Sequence, residues 1–394
     1  MPIAAADENT EVREELLEVV RRFRDKEIIP TASHYDAQDE YPEPIVERMK
    51  ELGLFGITVP TEYGGLGLDL LTYVMVVEEL SYGWMSVSGF LNTHFMGCFL
   101  IKTFGTEEQK QKFLPRMATG EIRAAYSLSE PDAGSDVAAI RTRAVRDGDE
   151  YVVNGTKMWL TNGREARLVV TLVRTDPNPD TRHRGLSVLL VEKEPGPRYE
   201  GITVGPNIHK LGYRGVETVE LVFDNHRVPA ANLLGAEEGN GFPQMMAAVE
   251  LGRINIAARA VGVARRAFEE SIRYAQQRET FGRPIAQHQA IQFKLAEMGT
   301  KLHAARLVCH DAARRKNRGE RCDLQAGMAK YFASEACWEI CQEALRIHGG
   351  NGYANEYPIE RLYRDAPLMI VGEGTNEIQK MVIGRRLLEE YAID

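Results

Sequence analysis

The sequence predicts a mainly α-helical protein with a β domain in the middle of the chain. Helix-like segments separated by turns occupy residues 10 to about 120. Short runs rich in β-branched and aromatic residues, bounded by Gly, Pro, Asn and Asp, follow to about residue 235. Long segments with apolar and small residues spaced by three and four then continue to the C-terminus. The 394 residues are 44% hydrophobic, which is enough for more than one domain.

The first helix is predicted from the amphipathic segment EVREELLEVVRRFRDKEIIP, and we expect it to stop at Pro30. Further helical patterns complete an N-terminal domain, which we assign to residues 1–122. In residues 123–236, runs such as EYVVNGTKMWLTNG and TVELVFDNHRVP are typical of an antiparallel barrel or sandwich. Residues 237–394 contain three segments that are each long enough for one side of a helix bundle.

Charge and composition exclude several classes of function. The 48 basic and 57 acidic residues give a net charge of −9, which does not favour nucleic acid or an anionic membrane as a partner. No apolar stretch approaches the roughly 20 residues that span a bilayer. The N-terminus turns acidic early and does not resemble a secretion signal, and the five cysteines indicate reduced thiols in a cytoplasmic protein. The nine histidines are scattered without ligand spacing, so we expect no metal site.

Five segments carry residues suited to chemistry, and each also has a purely structural interpretation. YSLSEPDAGSD could offer backbone N–H groups to a ligand or be a turn between domains, and KMWLTNG could lay an indole on a flat ring or be core. RETFGRPIAQHQ could be a helix corner, and LRIHGGNGYANEYPIERLYRD ends a helix with glycines. In VGEGTNEIQK, Glu373 lies between two glycines and could be a reactive carboxylate or the acidic start of a helix.

These segments give the chain its resemblance to the acyl-CoA dehydrogenases. Ser129 to Ala139 is close to the family signature S-E-x-x-A-G-S-D-x-x-A, and Gly349 to Asp365 fits G-G-x-G-Y-x-x-E-x(4)-R-x(3)-D, with EGT downstream. The resemblance covers essentially the whole chain. It implies the family fold: an N-terminal helical domain, a middle β-barrel and a C-terminal four-helix bundle.

The resemblance also implies an activity, the α,β-dehydrogenation of an acyl-CoA thioester to the trans-2-enoyl-CoA. Glu373 matches the family base that removes the α-proton, while the β-hydrogen leaves as hydride to N5 of FAD. Burial suits such a base because it disfavours the charged form and raises the pKa of the carboxyl group. The Glu373 N–H, together with a ribityl hydroxyl of FAD, is expected to bind the thioester oxygen. An electron-transfer flavoprotein is the expected electron acceptor.

The resemblance assigns further residues to ligands. Those expected to bind FAD, partly from a neighbouring subunit of a homotetramer, are Tyr126, Leu128, Ser129, Ser135, Trp159, Thr161, Arg278, Thr280, Phe281, His288, Gln289, Arg346, Gly349, Gly350, Thr375 and Glu377. Those expected near the acyl-CoA are Ser135, Glu250, Arg253 and Gly374.

Some positions depart from the family pattern. Certain members carry the base just before the residue that corresponds to Arg253, but Gly252 stands there and cannot serve. Glu250 would point elsewhere on the helix, so Glu373 is the favoured base. Arg346 replaces the usual Gln, Glu or Asp, which puts its cofactor contact in question. We hypothesise that Gly372, where straight-chain members often have an aromatic residue, admits branched, cyclic or aryl acyl groups.

Two other functions use the same fold. Flavin monooxygenases of this architecture typically lack the EGT glutamate, so Glu373 argues against them. A flavin-bearing protein that binds DNA would need a basic surface, which the net charge of −9 disfavours.

Overall fold

The computed structural model describes residues 10–393, and it has the predicted order of helices, strands and helices. The N-terminal helices are α1 (Thr10–Phe23), α2 (Ile29–Gln38), α3 (Glu43–Glu51), α4 (Leu70–Gly83), α5 (Met85–Phe104) and α6 (Glu107–Ala118). The strands of the middle region are β1 (Ala124–Ser127), β2 (Arg143–Asp147), β3 (Glu150–Thr161), β4 (Leu168–Arg174), β5 (Leu186–Glu192), β6 (Arg198–Tyr199), β7 (Ile202–Val204) and β8 (Thr218–Pro229).

The C-terminal part is helical again. Its elements are α7 (Gly241–Gln277), the short hairpin β9 (Glu279–Thr280) and β10 (Arg283–Pro284), α8 (Gln289–Asn317), α9 (Asp323–His348), α10 (Ile359–Asp365), α11 (Leu368–Val371) and α12 (Asn376–Glu390). The helix α9 packs against α7, α8 and α12, which completes a bundle of four long helices. The predicted fold class is confirmed. No helix among residues 10–393 is both long enough and apolar enough to cross a bilayer.

The expected end of the first helix at Pro30 is wrong. A π-helical turn, Arg24–Ile28, joins α1 to α2, and Pro30 is the second residue of α2. A proline is tolerated in the first turn of a helix because the N–H groups there have no partner within the helix. In the π turn the backbone hydrogen bonds join residues five apart instead of four, and the α-helical pattern resumes after it. The helical path therefore continues to Gln38.

The middle strands form one sheet in the order β1-β4-β2-β3-β8-β7-β6, with β5 paired to β4. The long strands β3 and β8 are antiparallel, and their register shifts twice, once between Lys157 and Leu160. A bulge of this kind re-aims a side chain. Here it turns Trp159, which has a φ of 65°, out of the sheet.

The helix α5 is buried along most of its length. Nearly every residue from Met85 to Ile101 is buried, because α5 packs on α7, on α6 and on strand β1. A helix that is buried on all sides must be apolar or must satisfy its polar groups internally. The polar residues of α5 are therefore constrained by their neighbours, and two of them, Asn92 and Thr93, reach the site described below.

A buried group of charges fixes α4 to the bundle. Arg265 on α7 donates to Glu78 at 2.7 Å and to Glu79 at 2.6 Å, and Arg306 on α8 donates to Glu78 at 2.7 Å. Arg24 also binds Glu79. Burial alone would raise the pKa of Glu79, but the hydrogen bonds and charges of its arginine neighbours outweigh burial and lower it. Each charge is thus stabilised only while its partners are present.

We predict that Glu79→Gln lowers the free energy of unfolding by about 3–5 kcal/mol, because it leaves buried guanidinium groups without compensation. Glu51→Gln is the matched control, since Glu51 forms an exposed pair with Arg48 one turn away. Its effect should stay within about 0.5 kcal/mol. Urea unfolding followed by circular dichroism measures both, and equal effects would contradict the assignment.

Candidate active site

Glu373 lies in the turn between α11 and α12 and has a backbone conformation that is rare for a residue with a side chain. Its φ is 53°, and Gly374 follows with a φ of 82°. Strained conformations of this kind persist where the surrounding structure fixes them, and they cluster at functional sites. The Glu373 N–H donates no hydrogen bond to any acceptor within residues 10–393. The turn therefore presents both a carboxylate and a backbone donor.

The Glu373 carboxylate is inserted between two helices. Asn92 on α5 donates from Nδ2 to Glu373 Oε1 at 2.9 Å. On the other side, a Cβ built on Gly252 of α7 would lie 2.7 Å from Glu373 Oε2, which is closer than real Cβ atoms approach. Glycine at 252 has no side chain that could itself act as a base, and its lack of a Cβ leaves room for the Glu373 carboxylate.

Burial dominates the electrostatics of Glu373. Burial raises the pKa of the carboxyl group, and the raising is only partly offset by Arg259, by the Asn92 hydrogen bond, and by Lys330 and Arg253. The pKa of Lys330 is in turn lowered to about 8, again chiefly by burial. A carboxylate with a raised pKa is a stronger base than one with the ordinary pKa.

Side chains of α9 and α12 hold the turn that contains Glu373 in place. Lys330 Nζ donates to the Ile370 carbonyl oxygen at 2.8 Å and to Asn376 Oδ1 at 2.7 Å, so one amine binds the end of α11 and the start of α12. Gln379 Nε2 donates to the Gly374 carbonyl oxygen at 3.1 Å. Thr375 caps α12 by accepting from the Ile378 N–H.

A second group of predicted residues lies at the end of β1 and on β3. Trp159 has 58% of its surface exposed, which is unusual for an indole in a strand. The buried Lys157 donates to the Leu128 carbonyl oxygen at 3.1 Å and pairs with Glu130 at 3.1 Å. The Met158 N–H donates to the Ser129 carbonyl oxygen at 2.9 Å. These bonds hold the segment 128–130 beside Trp159.

This arrangement fits a flavin. An exposed indole face suits a flat ring, and the neighbouring backbone of Leu128 and Ser129 offers polar groups for its edge. Half-buried Thr161 ends the same strand. The next residue, Asn162, donates to Thr93 Oγ1 at 3.1 Å, which ties the turn after Thr161 to α5.

Several of the remaining predicted cofactor residues lie at the surface of this chain. Phe281 is at the tip of the β9–β10 hairpin with 96% of its surface exposed. Beneath it, Thr280 Oγ1 and His288 Nε2 are 3.3 Å apart. Gly349 and Gly350 are exposed at the end of α9, and a Cβ at either would meet nothing within 4 Å.

Three family models match the chain along its length. They are described as the N-terminal, middle and C-terminal domains of acyl-CoA dehydrogenase, and they match residues 10–121, 125–226 and 239–388. The chain belongs to the acyl-CoA dehydrogenase family. It is an FAD-dependent acyl-CoA dehydrogenase.

Individual relatives agree with this assignment. The chain is 44% identical over 371 residues to an acyl-CoA dehydrogenase of Bacillus subtilis (strain 168), with 94% of this chain and 96% of the relative covered. It is 44% identical over 375 residues to a (2S)-methylsuccinyl-CoA dehydrogenase of Cereibacter sphaeroides, with 94% of this chain and 68% of the relative covered. The structure of butyryl-CoA dehydrogenase from Megasphaera elsdenii superposes with a TM-score of 0.93 at 36% identity, covering 98% of this chain and 100% of that one.

Not every residue expected at the acyl-CoA dehydrogenase site faces Glu373. Glu250 pairs with Lys316 at 2.5 Å and is therefore directed along α7 toward α8. Arg253 is half-buried, and its Nε has no partner, while Glu250 and Glu373 both act on its charge. Arg346 is exposed and pairs with Glu343 at 2.8 Å on its own helix.

Four other residues expected to bind FAD or the acyl-CoA are exposed to solvent in this dehydrogenase. Ser135 lies in an exposed loop, Glu377 is exposed in the first turn of α12, and Arg278 and Gln289 are exposed at the ends of α7 and α8. Tyr126 is half-buried, and its hydroxyl donates to the Met245 carbonyl oxygen at 2.9 Å.

Gly372 is not beside open space. A Cβ there would lie 3.1 Å from the Leu368 carbonyl oxygen, so the position borders α11. That this glycine admits branched, cyclic or aryl acyl groups stays a prediction.

Several residues of the site were missed by sequence reasoning: Asn92, Arg259, Lys330 and Gln379. Two of them leave a signal in the sequence. Arg259 interrupts the apolar run INIAARAVGVA, and Lys330 interrupts the small-residue run AGMAKYFASEA. A charged residue at a core position of a helix is expensive and is retained for a partner or a function.

We predict that Gly252→Ala lowers kcat by on the order of 10²-fold while FAD stays bound, because the added methyl displaces the Glu373 carboxylate. Gly384→Ala on α12 is the control, since a Cβ there meets nothing within 4 Å. Steady-state kinetics and the flavin absorbance of the purified variants measure the effect. Unchanged kcat in Gly252→Ala would contradict the described contact.

Proposed function

We propose that Glu373 is the general base of this dehydrogenase and removes the α-proton of the acyl-CoA thioester. The observation that carries the proposal is the position of its carboxylate, held between Asn92 and Gly252 on two buried helices. Burial raises the pKa of Glu373, which strengthens it as a base, and the cations around it offset part of the rise.

The same turn supplies a donor for the thioester oxygen. The Glu373 N–H donates no hydrogen bond within residues 10–393. The φ of 53° gives Glu373 a backbone conformation that differs from that of the helices on either side. A preorganised donor of this kind typically contributes about 3 kcal/mol to stabilising a developing oxyanion. One residue thus accepts the proton and stabilises the negative charge that the proton leaves behind.

The residues proposed to hold FAD divide into two groups. Within one subunit they are Tyr126, Leu128, Ser129, Ser135, Trp159 and Thr161. From a neighbouring subunit they are Arg278, Thr280, Phe281, His288, Gln289, Arg346, Gly349, Gly350, Thr375 and Glu377. FAD held by these residues would supply the acceptor for the β-hydrogen, which leaves the substrate as a hydride. The protein residues orient the ring, exclude water and hold the proton at Glu373.

Sharing of the site between subunits is supported by the exposed residues of the second group. Phe281 with 96% and Tyr353 with 82% of the surface exposed would be costly on an isolated chain, and both adjoin expected cofactor residues. We propose a homotetramer whose partner subunits cover these residues. Acyl-CoA is the substrate, electrons pass to an electron-transfer flavoprotein, and the five buried reduced cysteines support a cytoplasmic location.

We predict that Glu373→Gln lowers the rate of flavin bleaching by an acyl-CoA by about 10²–10⁴-fold, because glutamine cannot accept the α-proton. The measurement is an anaerobic titration with straight, branched, cyclic and aryl thioesters, followed by the flavin absorbance. Glu390→Gln, at the exposed end of α12, is the control and should bleach like wild type. Bleaching that persists in Glu373→Gln would move the base to another residue.

We predict that Asn92→Leu shifts the acidic limb of kcat/KM to higher pH. The Asn92 hydrogen bond stabilises the charged form of Glu373 and so lowers its pKa. Without that bond the pKa rises further, and a higher pH is needed to ionise the base in the free enzyme. A pH profile of kcat/KM tests this. A limb that stays in place or moves to lower pH would show that Asn92 does not act on the base.

A further inference from the structure

A row of buried polar side chains continues from Glu373 along the interface of α5 and α7. On α7, Gly252, Asn255 and Arg259 are spaced by three and four and therefore share one face. Asn92 faces them from α5, and Tyr73 faces them from α4, where its hydroxyl accepts from Asn255 Nδ2 at 2.8 Å. Asn92, Asn255, Arg259 and Tyr73 each have 3% or less of their surface exposed. An interior that contained only an alkyl chain would not need these groups.

Arg259 is the member of this row whose burial is least compensated. Its Nη2 donates to the Ser88 carbonyl oxygen at 3.3 Å, and its guanidinium lies 5.5 Å from the centre of the Tyr213 ring. Its Nε has no hydrogen-bond partner, and no carboxylate of residues 10–393 forms an ion pair with it. Arg265, two turns further along the same helix, binds both Glu78 and Glu79.

Arg259 acts on the charge of Glu373 without forming a direct ion pair, so its guanidinium keeps a buried donor for which residues 10–393 supply no acceptor. Other groups in the row are also incomplete. The Tyr73 hydroxyl accepts a hydrogen bond, and within residues 10–393 it donates to no acceptor. Arg259 Nε and the Tyr73 O–H are therefore two donors, both within electrostatic reach of Glu373, that a single carboxylate could occupy.

We propose that the acyl-CoA substrate carries a carboxylate at the far end of a short acyl chain, and that Arg259 binds this carboxylate. The proposal rests on the proposed function of Glu373, because the base fixes which end of the acyl group enters the site. The carboxylate forms and breaks no bond in the reaction. The α-proton still goes to Glu373 and the β-hydrogen to FAD, and Arg259 determines specificity.

The test uses pairs of acyl-CoA thioesters of equal chain length, one ending in a carboxylate and the other in a methyl group. We expect the wild-type holoenzyme to have the higher kcat/KM for the carboxylate-ended member. Arg259→Gln should lower the ratio of kcat/KM for the carboxylate-ended member to kcat/KM for the methyl-ended member by on the order of 100-fold, because any effect of Arg259 on Glu373 is common to both members and cancels in the ratio. Arg259→Lys should retain part of the preference because it keeps the charge. Arg273→Gln, an exposed arginine of α7, is the matched control.

Two outcomes would overturn the proposal. One is a wild-type preference for the methyl-ended thioester. This comparison uses only the wild-type enzyme, so it can be made even if Arg259→Gln does not fold. The other is an equal loss of kcat/KM for both members in Arg259→Gln, which would make Arg259 a positioning residue for Glu373. Failure of the proposed function itself is distinguishable, because Glu373→Gln would then reduce its flavin as fast as wild type with either member.

Discussion

The site depends on one constraint, which is that a carboxylate has to be held between protein elements and still be able to ionise. The chain meets it by inserting Glu373 between α5 and α7, where Asn92 donates to one oxygen and Gly252 leaves space for the other. Burial raises the pKa of the carboxyl group, and nearby cations offset part of the rise. The strained backbone at Glu373 is tolerated because Lys330 and Gln379 fix the turn from behind.

The helix α5 connects this base to the cofactor region. Asn92 binds Glu373, and the next residue, Thr93, accepts a hydrogen bond from Asn162 in the turn after Thr161. A displacement of α5 would therefore move the base and the proposed flavin contacts together. The burial of α5 on all sides opposes such a displacement, since a packed interior transmits strain instead of absorbing it.

The fold was predictable because periodicity and turn residues are local signals. Glu373 could be proposed as the base because the EGT motif is a local signal as well. Its partners could not be predicted, since Asn92 and Glu373 are 281 residues apart and only the packing of α5 on α7 brings them together. The continuation of the helix through Pro30 was missed for a related reason, because a π turn leaves no pattern in composition. Arg259 was visible as a charge in an apolar run, but its lack of a partner is a property of the structure.

The most direct test of Glu373 as the base is the exchange of the α-proton itself. The holoenzyme would be incubated anaerobically in D₂O with a saturated acyl-CoA, and deuterium at the α-carbon would be followed by mass spectrometry. If Glu373 is the base, wild type incorporates deuterium at this carbon and Glu373→Gln, with its FAD bound, does not. Incorporation at an undiminished rate in Glu373→Gln would contradict the assignment of Glu373 as the base.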